Sequence, residues 1–167
     1  RQNSWPPSAA CILHRPRPRL GGLRAFDRSA PWSRPTPMFE THVSLHADAF
    51  VDDLADVLSR AREAGISRFL AICDRYDNYP AVKAIAEAND DIWNTVGVHP
   101  HHAKDFQSLK VGDLIAAAAD RKTVAIGETG LDFHYGYSAE EDQVANFRRH
   151  IEAARETGLP LVVHTRE

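Results

Sequence analysis

The sequence predicts an α/β fold, a parallel sheet of the TIM-type (β/α)8 barrel class carried through about five βα units. The first observation behind this is a steady alternation of strand-length apolar runs and amphipathic helix-length segments from residue 38 onward. The second is what stands at the ends of the runs. Val96-Gly97-Val98 leads into His99-Pro100-His101-His102, Thr123–Ile126 into Gly127-Glu128-Thr129-Gly130-Leu131-Asp132, and Leu161–Val163 into His164. Parallel barrel strands bring their C-terminal ends to one rim, where the chemistry of such folds sits. The third is a missing signature. A doubly wound sheet gathers its site at a glycine-rich phosphate loop, and the chain has no G-x-G-x-x-G or Walker pattern.

Residues 1–37 stand apart. They hold seven arginines (Arg1, Arg15, Arg17, Arg19, Arg24, Arg28 and Arg34) against Asp27 alone, with prolines at 6, 7, 16, 18, 31, 35 and 37. No helical or strand period is sustained, so too little apolar surface exists to offset the entropy of ordering. A disordered leader or upstream translation is expected, with Met38, the single methionine, as the true start. The same composition also suits an organelle transit peptide or a basic arm that touches nucleic acid.

From residue 38 to 167 the elements follow in order. Phe39–Val43 is a short strand. From about Asp48 to Ala64, Phe50, Leu54, Val57, Leu58 and Ala61 recur at helical spacing, and Gly65 stops the helix. Arg68–Cys73 is the second strand, Tyr79–Glu87 a helix, Ile92–Val98 the third strand, Val111–Asp120 a helix and Thr123–Gly127 the fourth strand. A long helix begins at Ser138, whose spacing to Glu141 is that of a capping box; Val144, Phe147, Ile151 and Ala154 form its expected inner stripe and Gly158 its end. Leu161–Val163 is the fifth strand. The remaining units of an eight-stranded barrel are expected beyond residue 167, so residues 38–167 read as the N-terminal part of a larger hydrolase barrel.

Charge and composition exclude several classes. Seven arginines against one aspartate make residues 1–37 +6, which leaves −9 for residues 38–167 of the total −3. An acidic body argues against broad electrostatic capture of duplex nucleic acid, although a bound metal reverses the sign locally. Only Cys11 and Cys73 occur, too few for a disulfide framework. Cys73, at the end of an apolar run, is expected to be a small core residue in a reducing, cytoplasmic setting. No run of about 18 apolar residues exists, so no membrane span is expected.

Four motifs together carry a family resemblance: Glu40-Thr41-His42, Gly97-Val98-His99-Pro100-His101, Gly127-Glu128-Thr129-Gly130-Leu131-Asp132, and Leu159-Pro160-Leu161-Val162-Val163-His164-Thr165-Arg166-Glu167. Their order and spacing over 38–167 resemble the N-terminal part of TatD-family metal-dependent deoxyribonucleases, a branch of the amidohydrolase-like TIM barrels. The resemblance implies a barrel that binds one or two divalent ions (Mg, Mn or Zn) and hydrolyses phosphodiesters of DNA. It assigns His42, Glu128 and His164 to the metals, with Glu128 as the bridging and catalytic carboxylate. The family's later metal histidine and its aspartate near strand eight would lie beyond residue 167. One position departs from the pattern. Ser44 stands where the family has the second histidine of His-x-His, and a neutral serine is a poor ligand. His46, on the same face by the two-residue period of a strand, is the candidate replacement.

Ordinary structural roles compete with these assignments. A lone histidine is commonly a solvated or hydrogen-bonded loop residue, and His102, His134 and His150 are read so. Glu128 could belong to a structural ion pair, but an acid between glycines after a buried strand has little packing role. His99 and His101 are read as substrate-side groups, His99 as a catalytic contact to phosphate or attacking water. Asp132 is expected to orient a neighbouring ligand or loop, and Phe133 and Tyr135 to form an apolar wall. DNA ends or single strands are the expected substrate, with no membrane and no protein partner indicated. The alternatives are another hydrolase of the same barrel class, acting on an amide, lactone or phosphotriester, and an inactive truncated product.

Overall fold

The computed structural model describes residues 37–166, so the expectations for the leader 1–37 lie almost wholly outside the described residues. Five strands form one sheet in sequence order: β1 (Met38–Val43), β2 (Ile66–Ala71), β3 (Ile92–Val96), β4 (Thr123–Asp132) and β5 (Leu161–Arg166). Every neighbouring pair is parallel. The helices α1 (Leu54–Glu63), α2 (Tyr79–Glu87), α3 (Val111–Ala118) and α4 (Glu140–Thr157) carry the chain back between strands. Each strand pairing with its successor through a helical crossover gives a curled half-barrel, the truncated TIM-type wall that the alternation predicts. Among the described residues no helix is long and apolar enough to cross a membrane.

Apolar side chains fill the space between sheet and helices in two clusters. Leu58, Phe69, Ala71, Val82, Ala86 and Ile92 pack β1–β3 against α1 and α2. Val96, Val98, Leu114, Ile126, Ala153 and Ala154 pack β3 and β4 against α3 and α4. Cys73 is buried just past the end of β2, and its backbone N–H donates to Thr95 Oγ1 at 3.0 Å. Burial pushes its thiol up to about 12.

Several elements depart from the sequence expectation: β2 runs Ile66–Ala71 rather than Arg68–Cys73, and β5 runs on past Val163 to Arg166. The segment 48–64 splits into a 3-10 turn, Asp48–Phe50, and the helix α1. β4 runs to Asp132 rather than stopping at Gly127, because Thr129–Asp132 pair with Val163–Arg166 of β5 beyond a register shift. Glycines that look like a strand end instead let the strands close up. A Cβ on Gly97 would lie 2.5 Å from Gly127 Cα, and one on Gly130, whose φ is +138°, would collide with the His164 carbonyl. β3 leaves the ladder at Val96, before the expected Val98.

α4 departs in which face it buries. Its fully buried face is Gln143, Asn146, His150 and Ala153, whereas Val144, Phe147 and Ile151 are only partly covered. Buried polar side chains need partners, and these find backbone. His150 Nε2 accepts from Val98 N–H at 3.0 Å while Asn146 Nδ2 donates to Val98 C=O at 2.8 Å. His150 Nδ1–H in turn bonds Asn146 C=O at 2.8 Å, so the ring is neutral and its tautomer fixed. Residues four apart on one helix thus replace the ladder bonds that Val98 lost. His150 is hydrogen-bonded as expected, but within a helix rather than a loop. Ser138 does not form its capping box: its Oγ donates to His101 C=O at 2.9 Å and accepts from Lys104 N–H at 3.2 Å.

Two predictions follow from this geometry. Gly97→Ala forces β3 and β4 apart and is expected to lower stability by about 1–3 kcal/mol. Gly112→Ala, with nothing within 4 Å of the added Cβ, is expected to raise it by about 0.4–1 kcal/mol. Urea unfolding of both variants checks the contrast, and equal effects would contradict the close approach. For His150, burial holds the ring down from 6.5 to about 4. The unfolded chain therefore takes up the proton first as pH falls through 6.5, and this contribution to stability is lost until the native ring protonates near 4. The stability advantage of wild type over His150→Gln should shrink across that window by up to about 1.4 kcal/mol per pH unit. A pH-independent difference would contradict a neutral buried ring.

Candidate functional site

β4 sets Glu128 at the centre of the rim. Its backbone N–H donates to the Cys73 carbonyl at 3.0 Å, which ties the acid to the end of β2. The carboxylate lies among imidazole nitrogens from three other segments. His42 Nε2 from β1 stands 3.1 Å from Oε2; His164 Nδ1 from β5 and His99 Nε2 from the loop after β3 stand 3.5 and 3.9 Å from Oε1. The structure thus brings His42, His99, Glu128 and His164 together, although they are far apart in sequence. Parallel strands in sequential order do this directly, because each delivers its last side chains to the same edge.

Asp132, at the end of β4, is fully buried and joins the next ring of contacts. Oδ2 takes His101 Nε2 at 2.8 Å and His164 Nε2 at 2.9 Å, and Oδ1 accepts from the backbone N–H groups of His134 and Tyr135. Desolvation opposes its charge, but the hydrogen bonds from His164 and His101 outweigh it and hold the carboxyl below the ordinary carboxylate range. Gln143 of α4 completes the support, accepting from Asp132 N–H at 2.7 Å and donating to its C=O at 2.9 Å.

These bonds fix which ring nitrogens face the centre. An ionised Asp132 only accepts, so His164 carries its proton on Nε2 and turns the Nδ1 lone pair towards Glu128. His99 is arranged the other way. Its Nδ1 accepts from His101 N–H at 3.2 Å, and burial followed by the nearby imidazoles of His101 and His164 pushes the ring down to about 3. A neutral ring that accepts at Nδ1 holds its proton at Nε2, which points towards Glu128 as a donor. Donor atoms of His99, His101 and His164 do lie within 4.8 Å of one another. Tautomers nevertheless separate them: His99 offers N–H at Nε2, and His101 Nε2 is engaged by Asp132. The Glu128 oxygens, His42 Nε2 and His164 Nδ1 could hold a divalent ion, as a mixed set of nitrogen and oxygen that first-row and alkaline-earth ions accept.

Other candidates fall elsewhere. β1 ends at Val43, so Ser44 and His46 lie in a turn and not on a continued strand face. Ser44 is exposed, while His46 Nε2 bonds Asp74 Oδ1 at 3.0 Å and its buried Nδ1 has no partner among the described residues. Desolvation works against the charge of Asp74, yet hydrogen bonds from His46 and Asn78 hold its carboxyl below the ordinary range. His102 Nδ1 meets Arg75 at 3.1 Å, and Arg75 also pairs with Asp77 and Asp105. Asp74 was legible as an acid directly after the run Leu70–Cys73, by the rule that singles out Glu128. Gln143, Asn146 and His150 were legible only as polar residues spaced three and four apart on a helix.

Comparison with known proteins bears on the fold and the family. Residues 39–167 match the family model described as TatD related DNase. A protein named 3'-5' ssDNA/RNA exonuclease TatD from Pantoea ananatis is 37% identical over 131 residues, spanning 78% of this chain and 50% of that protein. Its namesake from Erwinia amylovora is also 37% identical over 131 residues, spanning 51% of that protein. In the crystal structure of YJJV, a TatD homologue from Escherichia coli K12, the matching region gives a TM-score of 0.73 at 26% identity, covering 78% of this chain and 51% of that one. The chain therefore spans about half the length of the curated relatives it matches. With residues 39–167 matched to the family model and relatives 37% identical along the same stretch, the chain belongs to the TatD related DNase family.

Proposed function

We propose that the whole protein is a divalent-metal-dependent hydrolase that cleaves phosphodiesters at the ends of nucleic acids, single-stranded DNA foremost. One observation carries this reading. The Glu128 side chain is only 12% exposed, and imidazole nitrogens stand 3.1, 3.5 and 3.9 Å from its oxygens. A sheltered carboxylate with the His164 Nδ1 lone pair turned towards it and the His42 ring nitrogen at hydrogen-bond distance suits a cation better than a structural ion pair. His42, Glu128 and His164 would hold one or two ions of Mg, Mn or Zn. A divalent ion there supplies Lewis acidity, polarising a phosphoryl oxygen and making hydroxide available near neutral pH.

The remaining steps belong to the chain. Asp132 keeps His164 in the tautomer and orientation that ligation requires. His99, neutral and with its proton at Nε2, donates to a phosphoryl oxygen or orients the attacking water. His101 is held against Asp132 as a second substrate-side group. His46, bonded to Asp74, supports the rim beside the exposed Ser44. The −9 charge of residues 38–167 disfavours wrapping of long duplex and leaves strand ends as the fitting substrate. Relatives named for 3'-5' activity on single-stranded DNA or RNA support the same substrate class. A cytoplasmic location belongs to this reading, with the reduced, buried Cys73 in its favour.

The test is hydrolysis of end-labelled DNA by the whole protein with Mg, Mn or Zn and with chelator, beside a panel of amides, lactones and phosphotriesters. Activity on DNA should require the metal. Glu128→Gln keeps the shape but removes the charge that offsets the ions, and should lower the rate by about 100-fold or more with the fold intact. Ser44→His adds an imidazole next to the site and should retain or raise activity. Turnover in chelator, an unimpaired Glu128→Gln variant, or hydrolysis confined to the small substrates would overturn the proposal.

A further inference from the structure

The loop between β4 and α4 carries three exposed aromatic side chains. Phe133 is 41% exposed, Tyr135 48% and Tyr137 54%. Large rings in a folded domain mostly bury their faces, yet these stand at the rim and are organised. The Tyr135 and Tyr137 rings stack on each other, with centroids 5.4 Å apart and planes 12° from parallel. His101 meets both edge-on, at 5.6 Å from Tyr135 and 4.8 Å from Tyr137. The Arg166 guanidinium lies 5.2 Å over the Tyr135 ring.

This pair is tied to the candidate active site. Asp132 Oδ1 accepts from the N–H groups of His134 and Tyr135, and Oδ2 of the same carboxylate holds His101 and His164. The platform and the ring that faces Glu128 are therefore anchored on one buried group. Of the two tyrosines, Tyr137 lines a cavity of about 340 Å³ together with His101, His102, Lys104 and Asp105. That volume falls in the usual range of small-ligand pockets, roughly 300–1,000 Å³. Asp105 is paired with Arg75 at 3.0 Å, which offsets its charge and leaves the Lys104 ammonium as the cation of the cavity.

We infer that Tyr137, backed by Tyr135, is a stacking platform for an unpaired nucleobase beside the scissile phosphate, with Lys104 and Arg166 placed for the neighbouring backbone. The inference rests on the nuclease reading and adds to it a physical basis for choosing single strands. A base inside a duplex has both faces covered by its neighbours, so a protein ring reaches only an unpaired or terminal base. Aromatic stacking is also indifferent to sequence, because every base offers a π-face. A phosphate-only site would have no use for a paired ring stack at this place.

The test separates base from backbone. Binding of a fluorescein-labelled oligothymidylate is compared with binding of an equally long strand whose terminal nucleotides are abasic, both in chelator and by anisotropy. Tyr137→Ala should weaken the base-bearing strand about 5- to 150-fold, the range given by alanine substitution of stacking rings. The abasic strand should be nearly unaffected, and Tyr137→Phe should restore wild-type binding. A terminal 2-aminopurine should lose fluorescence on binding to wild type and to Tyr137→Phe, but not to Tyr137→Ala. Equal weakening on both strands, no weakening, or failure of wild type to prefer the base-bearing strand would overturn the platform. Cleavage of the same strands with Mg, Mn or Zn is scored separately. Base-dependent binding without metal-dependent cleavage keeps the platform and overturns the nuclease; cleavage indifferent to Tyr137→Ala does the reverse.

Discussion

Asp132 has no solvent to share its charge with, and so each of its neighbours is committed to it. A carboxylate taken out of water is costly unless hydrogen bonds surround it. Here two imidazoles, two backbone N–H groups and, through the main chain, one glutamine provide them. Each partner carries a different part of the molecule. His164 brings β5, His101 the loop after β3, Tyr135 the exposed aromatic pair and Gln143 the first turns of α4. The orientation of His164 beside Glu128 is thus set one layer away, by a residue that does not face the centre itself. Glu128 gathers the candidate ligands; Asp132 decides how His164 points.

The polar inner face of α4 extends the same arrangement along the helix. An apolar stripe would have packed against the sheet with some rotational freedom. Gln143, Asn146 and His150 instead make directed bonds to main chain at Asp132 and Val98. Both of these positions immediately precede or end the segments that carry site histidines and acids. A helix of 18 residues therefore acts as a rigid backing for two loops. Ser138 joins them once more, with its hydroxyl between the His101 carbonyl and the Lys104 amide.

Much of the fold was legible because it depends on periodicity and on strand ends. Alternating apolar runs gave five strands in barrel order, and the acids and histidines after them pointed to the rim. What the sequence concealed are interactions without a local period. β4 outran its glycines, since strand continuation depended on β5 supplying partners for Thr129–Asp132. Val144, Phe147 and Ile151 follow helical spacing, but bonding to Val98 rotated the polar face inward. Ser138 has the spacing of a cap, and a tertiary hydrogen bond took its hydroxyl. His46 shares parity with His42, a relation that ended with the strand at Val43. In each case a long-range partner overrode a short-range pattern.

Cys73 lies beneath this rim, where β2 gives way to the loop that leads to α2. Its amide is bonded to Thr95, its carbonyl to the Glu128 amide, and its thiol is pushed up to about 12. A thiol in that state is inert to alkylating reagents, which react with the thiolate. Modification can proceed only through fluctuations that separate the β2, β3 and β4 ends and admit both water and reagent. The labelling rate at this one position, read by peptide mapping, then becomes a clock for local opening. It reports how often the floor under Glu128 comes apart while the rest of the sheet stays folded.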